Sequence, residues 1–483
     1  MNTKTSLTIV ILIMAGVTAR GADRSPNIVI LLADDLGWTG VGCFGSDLHE
    51  TPNIDRLAAE GMKFSDAYSA CTVCSPTRAS IMTGKYPARI HLTDFIAGQN
   101  RPFEKLRIPE WTKYMRLEEV TIAEALKAAG YATAHVGKWH LEPRQPPAGY
   151  AVDQFKPTAH GFDVSIGRPT GTRGFFLPPD FERTDGSKGG YLTDYLTDEA
   201  VATIERFKDG PFFLYLAYFT PHTPIQGKED LVEYYTKKLQ GESDARHRNP
   251  TYAAMIHSLD ESVGRVAATL EELGLSRDTL IVFTSDNGGL TQRYGKIDGI
   301  ADNYPLRRGK GSAYEGGVRV PMIARWPGVI QPGSQCAEPV MTTDLYPTAL
   351  DVAGASGNAR HNARVDGVSL VKLLHDPCAK LDRNALYWHY PHYHAGGDAP
   401  YSAVRSGDWR LIEFHDDTPA GLYNLSTDIE ERNNLAATRP DKLKELSTKL
   451  HAWRETVGAQ MPSKNPDFDP ARAGKPAPRR RKR

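Results

Sequence analysis

The chain has 483 residues, 40% of them apolar, and its 58 basic side chains balance 58 acidic ones. That length suits one large α/β domain with an appendage, or roughly two to four domains. The balanced charge gives no global field pointing to nucleic acid, and five cysteines are too few for a disulfide scaffold. An odd count also leaves at least one thiol unpaired or chemically converted.

The first residues read as a secretory signal peptide. Lys4 supplies the positive start, Leu7 to Val17 is apolar, and Val17-Thr18-Ala19 offers small residues for cleavage before Arg20. The run is short for a membrane span, though an N-terminal anchor is the alternative. No later segment is long and apolar enough for a membrane helix. Residues 1–19 are therefore expected to be removed, and the mature protein to be periplasmic or secreted, with no stable membrane insertion.

Ile28 to Leu32 is a continuous β-branched and apolar run, as in a strand buried on both faces. It ends in Asp34 and Asp35. Two adjacent carboxylates after a buried strand need cationic compensation, unless the strand end is solvated and caps a helix. Thr51-Pro52-Asn53 reads as a helix entry.

The stretch Cys71 to Lys85, CTVCSPTRASIMTGK, follows. Cys71 and Cys74 form a Cys-x-x-Cys pair, which can mark a redox couple or half a zinc site. The residues from Ser75 onward predict a helix opening at the motif, with free N–H groups beside Cys74. Glu118 to Gly130 reads as an amphipathic helix closed by glycine. A strand from Tyr131 to Val136 then leads into Gly137-Lys138-Trp139-His140. Phe212 to Tyr218 is a further buried run that exits into Pro221-His222-Thr223-Pro224. Leu280 to Phe283 exits into Ser285-Asp286-Asn287-Gly288. A glycine-rich loop carries Lys310, and Glu315 with Arg319 reads as a structural ion pair.

Separate apolar strands thus end in charged or imidazole side chains, and in open α/β sheets ligands bind beyond the carboxyl ends of the strands. Asp34, Asp35, Asp286 and Asn287 offer only hard oxygen ligands. That set suits Ca²⁺, with Mg²⁺ as second choice, and argues against zinc or copper. Arg78, Lys138, His140, His222 and Lys310 are expected to surround it with positive charge and titratable nitrogens.

Cys74-Ser75-Pro76-Thr77-Arg78, followed by Thr83-Gly84-Lys85, resembles the signature of the formylglycine-dependent (type I) sulfatases of the alkaline phosphatase superfamily. The likeness extends over about residues 26–440 and leans toward arylsulfatases and N-acetylgalactosamine sulfatases. It implies a large mixed, mostly parallel sheet sandwiched by helices, with a small C-terminal α+β subdomain carrying an antiparallel sheet. It implies that a formylglycine-generating enzyme converts Cys74 to 3-oxoalanine, whose hydrate attacks sulfur. Asp34, Asp35, Asp286 and Asn287 then match the calcium ligands, with residue 74 also touching the metal. Arg78 matches the arginine that steadies formylglycine. Lys138, His140, His222 and Lys310 match the sulfate-contacting and proton-transfer residues. In that scheme His222 and Lys310 protonate the leaving alcohol, and His140 takes the proton that lets sulfate depart. One family position departs: the small polar sulfate contact falls in GFDVSIGRPTGTRG, where Ser165, Thr170 and Thr172 are the candidates.

The implied reaction is hydrolysis of a sulfuric ester on a sulfated sugar or polysaccharide, of galactose or N-acetylgalactosamine type. The alternatives are a phosphodiesterase or phosphonate monoester hydrolase of the same superfamily, and an inactive carbohydrate-binding relative, which should lack part of the charged set. The catalytic domain is expected over residues 20–380. An antiparallel-sheet subdomain follows over 381–460, closed by a helix from Leu443 to Trp453, and a basic disordered tail over 461–483. His389, His392 and His394, in HYPHYH, are candidates for substrate contact, with a metal cluster or packing as alternatives.

Overall fold

The computed structural model describes residues 25–241, 244–292, 297 and 299–475, so the expected signal peptide and the basic run Pro476 to Arg483 lie outside the described residues. Its centre is an eight-stranded sheet. The strands are β1 (Asn27–Ala33), β2 (Met62–Phe64), β3 (Ala132–Gly137), β4 (Val164–Ile166), β5 (Phe212–Ala217), β6 (Thr279–Ser285), β7 (Met322–Arg325) and β8 (Ser334–Cys336). Their order across the sheet is β8-β2-β7-β6-β1-β5-β3-β4. Only β7 runs against the others. The fold class is the mostly parallel α/β sheet expected, and the four strands singled out in the sequence are four consecutive neighbours in it, β6, β1, β5 and β3.

Every residue of β1 is buried, because helices cover both faces. Ile28, Ile30 and Leu32 point to one side. There they pack with α2 (Cys74–Thr83), α3 (Ile122–Ala128) and α6 (Leu345–Ala353). Val29, Leu31 and Ala33 point to the other, against α1 (Pro52–Glu60), α4 (Leu192–Phe207) and α5 (Pro250–Glu272). Helix α3 starts on a capping box between Thr121 and Glu124, one residue pair setting both ends of its first turn. Gly137 closes β3 at φ +110, and a Cβ there would meet the Ala217 carbonyl oxygen at 1.9 Å. Glycine is therefore required for β3 to end tight against β5 and turn toward Lys138.

The C-terminal sheet is a meander of β9 (Leu386–Tyr390), β10 (Tyr401–Ser406), β11 (Trp409–Phe414) and β12 (Gly421–Asn424), all antiparallel and backed by α7 (Pro440–Val457). It docks on the segment just before α2: Trp388 Nε1 donates to the Ser69 carbonyl at 2.9 Å. Glu315 lies in this seam, 3.2 Å from Arg319 and 2.7 Å from Arg410. The ion pair expected from sequence is thus one edge of a buried charge network. The tail expected from residue 461 departs from expectation over its first part. Ser463–Lys464 pairs with Leu106–Arg107, and Asn465 Nδ2 donates to the carbonyls of Pro102 and Glu104. A polar segment with few apolar residues reads as disordered, but here an edge strand offers it backbone partners. No helix among the described residues is long and apolar enough to cross a membrane.

Candidate functional site

Cys74 is the first residue of α2, and all ten residues of that helix are buried. Arg78 follows one turn later on the same face. Its guanidinium is fully buried and clamped: Nε donates to Asp286 Oδ2 at 2.8 Å, Nη2 sits 2.7 Å from the same oxygen, and Nη1 donates to the Lys138 carbonyl at 2.8 Å. One arginine therefore ties the motif helix to the ends of β6 and β3.

The carboxylates converge from β1 and β6. Asp286 Oδ1 accepts from the Asp35 N–H at 3.1 Å, and Asn287 Nδ2 donates to Asp35 Oδ1 at 2.8 Å. Asp35 has φ +66, a left-handed conformation unusual for a side-chain-bearing residue, held here by these bonds. Lys138 Nζ donates to Asp34 Oδ2 at 2.6 Å, and Lys310 Nζ to both oxygens of Asp35 at 2.6 and 2.8 Å. Burial alone pushes Asp34 up, but Lys138, His222, Arg78 and Lys310 outweigh it and hold the carboxyl well below the usual range. Asp35 is lowered likewise, with Lys310 foremost against burial. Asp286 goes the other way, up to about 6: burial, then crowding by Asp34, exceeds what Arg78 returns.

Among the buried oxygens that lack a hydrogen-bond partner among the described residues are two of this cluster: Asp34 Oδ1, which is 3.5 Å from Arg78, and Asn287 Oδ1. Buried acceptors without donors are uncommon, and a cation is one partner that satisfies them. Atoms of Asp34, Asp35 and His222 also lie within 4.8 Å of one another.

Both histidines have legible tautomers. His140 Nε2 donates to the Ile96 carbonyl at 2.8 Å, which leaves the Nδ1 lone pair facing Cys74 Sγ at 3.3 Å. Burial, then the Lys138 charge, holds His140 well below its ordinary pKa, so at neutral pH it is a neutral acceptor. His222 Nδ1 donates to the Thr223 carbonyl at 2.7 Å, aiming Nε2 toward Asp35 Oδ2 at 3.6 Å. Its side chain keeps 30% exposure, which places it at the mouth. Burial lowers it, against the pull of Asp35 and Asp34. Burial also raises the Cys74 thiol, with Lys138 and Lys310 opposing. Cys71 is raised as well, and the two are free thiols. Neither has the lowered pKa of a redox pair.

The wall holding His140 is built from residues 93–98. Ser75 Oγ accepts from Ile96 N–H at 3.1 Å and donates to the His140 carbonyl at 2.9 Å. Beneath, Asp94 accepts from Tyr390 Oη at 2.8 Å and from the Phe95 N–H. Burial raises Asp94 to about 7 in spite of these donors. A folded state that keeps a proton the unfolded chain releases loses stability as pH rises between those two pKa values, by roughly 1.4 kcal/mol per unit. Asp94→Asn removes that proton exchange. The thermal midpoint of the variant relative to the parent should therefore climb from pH 4 to pH 8; a constant difference would contradict the buried neutral carboxyl.

The HYPHYH histidines are not brought together on the site. His389 bonds Ser402 Oγ and the Gln460 carbonyl through its two nitrogens, within the C-terminal sheet. His392 bonds Thr93 Oγ1 and lies under the 93–98 wall. Only His394 approaches, packed so closely that a Cβ on Gly311 (φ +84) would fall 2.0 Å from its Nδ1; burial, then Lys310, lowers it to about 4. Only His389 lies on β9; His392 and His394 follow it in the loop, whose course separates the three. Of the candidates for the small polar contact, Ser165 bonds His135 across β3 and β4, Thr172 bonds Pro169, and Thr170 is exposed. The same stretch holds a residue the sequence reading passed over. The Arg168 guanidinium lies 4.4 Å over the Phe219 ring, just before His222, and within the field of Asp34.

The chain is similar to known proteins over most of its length. A family model described as Sulfatase matches residues 26–355, and one described as N-sulphoglucosamine sulphohydrolase, C-terminal, matches residues 309–457. A protein named Sulfatase from Formosa agariphila is 33% identical over 512 residues, covering 92% of this chain and 91% of the relative. N-acetylgalactosamine-6-sulfatase of Rattus norvegicus is 34% identical over 380 residues, covering 74% of this chain and 67% of the relative. The crystal structure of Ps i-CgsB in complex with k-i-k-neocarrahexaose superposes with a TM-score of 0.73 at 29% identity, covering 92% of this chain and 95% of that one.

Proposed function

This chain belongs to the sulfatase family, and on that premise we propose that it removes sulfate from a sulfated galactose or N-acetylgalactosamine unit, with Cys74 converted to formylglycine and Ca²⁺ held by Asp34, Asp35, Asp286 and Asn287. The observation that carries the reading is the meeting of Cys74, three buried carboxylates and three fixed cations at the ends of four neighbouring strands. The sugar class is supported by the name of the rat relative and by the carrageenan-type ligand in the structural neighbour.

Charge fits the substrate. Asp34, Asp35 and Asp286 are balanced by Arg78, Lys138 and Lys310. A divalent cation leaves the site net positive, suited to an anionic ester. The donorless Asp34 and Asn287 oxygens fit a hard cation, and bound Ca²⁺ would supply a Lewis acid for a sulfate oxygen. His222 falls in the same cluster, but an imidazole suits softer metals, so we assign it to proton transfer instead. The hydrate of formylglycine would supply a geminal diol, one hydroxyl to attack sulfur and one to release sulfate.

The chain's own groups do the rest. Lys138 and Lys310 neutralise sulfate oxygens as charge develops there. His140 Nδ1 accepts a proton from residue 74, its tautomer fixed by Ile96. His222 Nε2 gains a proton as the anion arrives beside it and gives it to the leaving oxygen. Arg78 holds residue 74 and Asp286 in register. A maturing enzyme acts on the chain beforehand, and the working compartment is periplasmic or extracellular.

Sulfate release from a panel of sulfated monosaccharides and oligosaccharides by the matured enzyme tests the reading, and a preference for phosphate esters or phosphonates would contradict it. The metal has its own test. Ca²⁺ added to chelator-treated protein should raise the thermal midpoint, by about 2.7 kcal/mol of stabilisation at 100 times its Kd. Mg²⁺ should do less, and Asp34→Asn should abolish the shift. A midpoint indifferent to Ca²⁺ would remove the metal from the account.

A further inference from the structure

Beside the nucleophile a groove of about 630 Å³ opens between residues 96–114 and 143–147, a size in the usual range of small-ligand sites. We propose that this groove is a second sugar subsite, holding an anionic unit of the same carbohydrate chain next to the unit that loses its sulfate. The proposal rests on the sulfated-carbohydrate reading and extends it to the length of the substrate.

Continuity with the reacting atoms comes through Ile96. It lines the groove, its carbonyl accepts from His140 Nε2, and its N–H donates to Ser75 Oγ beside Cys74. Through Ile96 the groove adjoins the wall that holds His140 and Ser75.

The groove wall is an aromatic platform with free polar groups. Trp111 is fixed edge-on against His392, ring centroids 5.5 Å apart. It also lies on Gly98, where a Cβ would come 2.8 Å from Trp111 Cζ2. The indole stays partly exposed, and its N–H has no acceptor among the described residues. Such a ring, apolar on its face and polar at its edge, suits a sugar. Lys113 Nζ stands 5.4 Å from the Trp111 ring centroid without a carboxylate partner. Arg144, exposed on the other wall, has neither ion pair nor hydrogen bond among the described residues, and Gln145 beside it is also unbonded. Glu110 is the one acidic side chain in the lining. Two unpaired cations against one carboxylate favour an anionic sugar over a neutral one. A merely solvated surface needs no fixed indole at its centre.

The test compares the matured enzyme with Trp111→Ala and with the double variant Lys113→Ala/Arg144→Ala. The probes are 4-nitrophenyl sulfate and sulfated hexasaccharides from carrageenan and from chondroitin sulfate. The ratio of kcat/KM on a cleaved hexasaccharide to kcat/KM on 4-nitrophenyl sulfate should fall at least about tenfold in each variant, through KM. A partial folding defect lowers both rates together, and the double variant replaces only exposed side chains, so the ratio isolates the groove. An unchanged ratio in the double variant overturns the subsite and leaves the desulfation reading standing. Cleavage of 4-nitrophenyl sulfate with neither hexasaccharide cleaved overturns the subsite as well. No sulfate released from any probe by the matured parent enzyme overturns the desulfation reading itself.

Discussion

A Cys74→Ser enzyme is expected to transfer one sulfuryl group to itself and then stop. Serine at this position keeps the helix N-terminus, the His140 Nδ1 that lies 3.3 Å from the present sulfur, and the cations that neutralise sulfate. It therefore keeps what the first transfer needs. A serine lacks the second hydroxyl of a geminal diol, so the ester it forms can be released only by water attacking sulfur. Turnover should fall by at least about 10³-fold, a loss in the range for removing a covalent catalyst. The intact mass of the variant should rise by one sulfuryl group after incubation with substrate. Sustained turnover by the serine enzyme would mean that residue 74 acts without conversion.

Arg78→Ala should be the most damaging single change to the fold around the site. Arg78 is fully buried, and its removal leaves Asp286 without its charge partner, Asp34 with one cation fewer, and the Lys138 carbonyl without a donor. Breaking a buried pair by deleting one member costs about 3–5 kcal/mol, so the thermal midpoint should fall substantially and activity should be lost with it. Arg78→Lys should rescue little. Its single ammonium cannot bond Asp286 twice and the Lys138 carbonyl at once. A midpoint unchanged by Arg78→Ala would show that the clamp contributes little to the fold.

The central strands were legible because each is a short β-branched or aromatic run that ends abruptly in chemistry. Asp34, Lys138, His222 and Asp286 fall at one end of a sheet by sequence alone. The short strands β2, β4, β7 and β8 were not legible, since three- and four-residue strands carry too little periodicity to stand out. The long helices α4 and α5 carry a legible signal, an apolar stripe along each.

Around the site, sequence gave residue types but not directions. HYPHYH looks like one cluster, yet β9 and the loop after it send His389 into the C-terminal sheet, His392 under the wall and His394 toward Lys310. Main-chain partners are invisible in sequence for the same reason: nothing about Ile96 announces that its carbonyl fixes the tautomer of His140. Arg168 carried a usable signal, a cation in the stretch where a sulfate contact is expected, although the contact expected there is a small polar side chain.

Mass spectrometry of the tryptic peptide Phe64 to Arg78, from protein produced together with an active formylglycine-generating enzyme, tests the central claim most directly. The account predicts that Cys74 appears as formylglycine or its hydrate while Cys71, in the same peptide, remains a thiol. Both cysteines recovered as thiols, under conditions where a control sulfatase is converted, would contradict it.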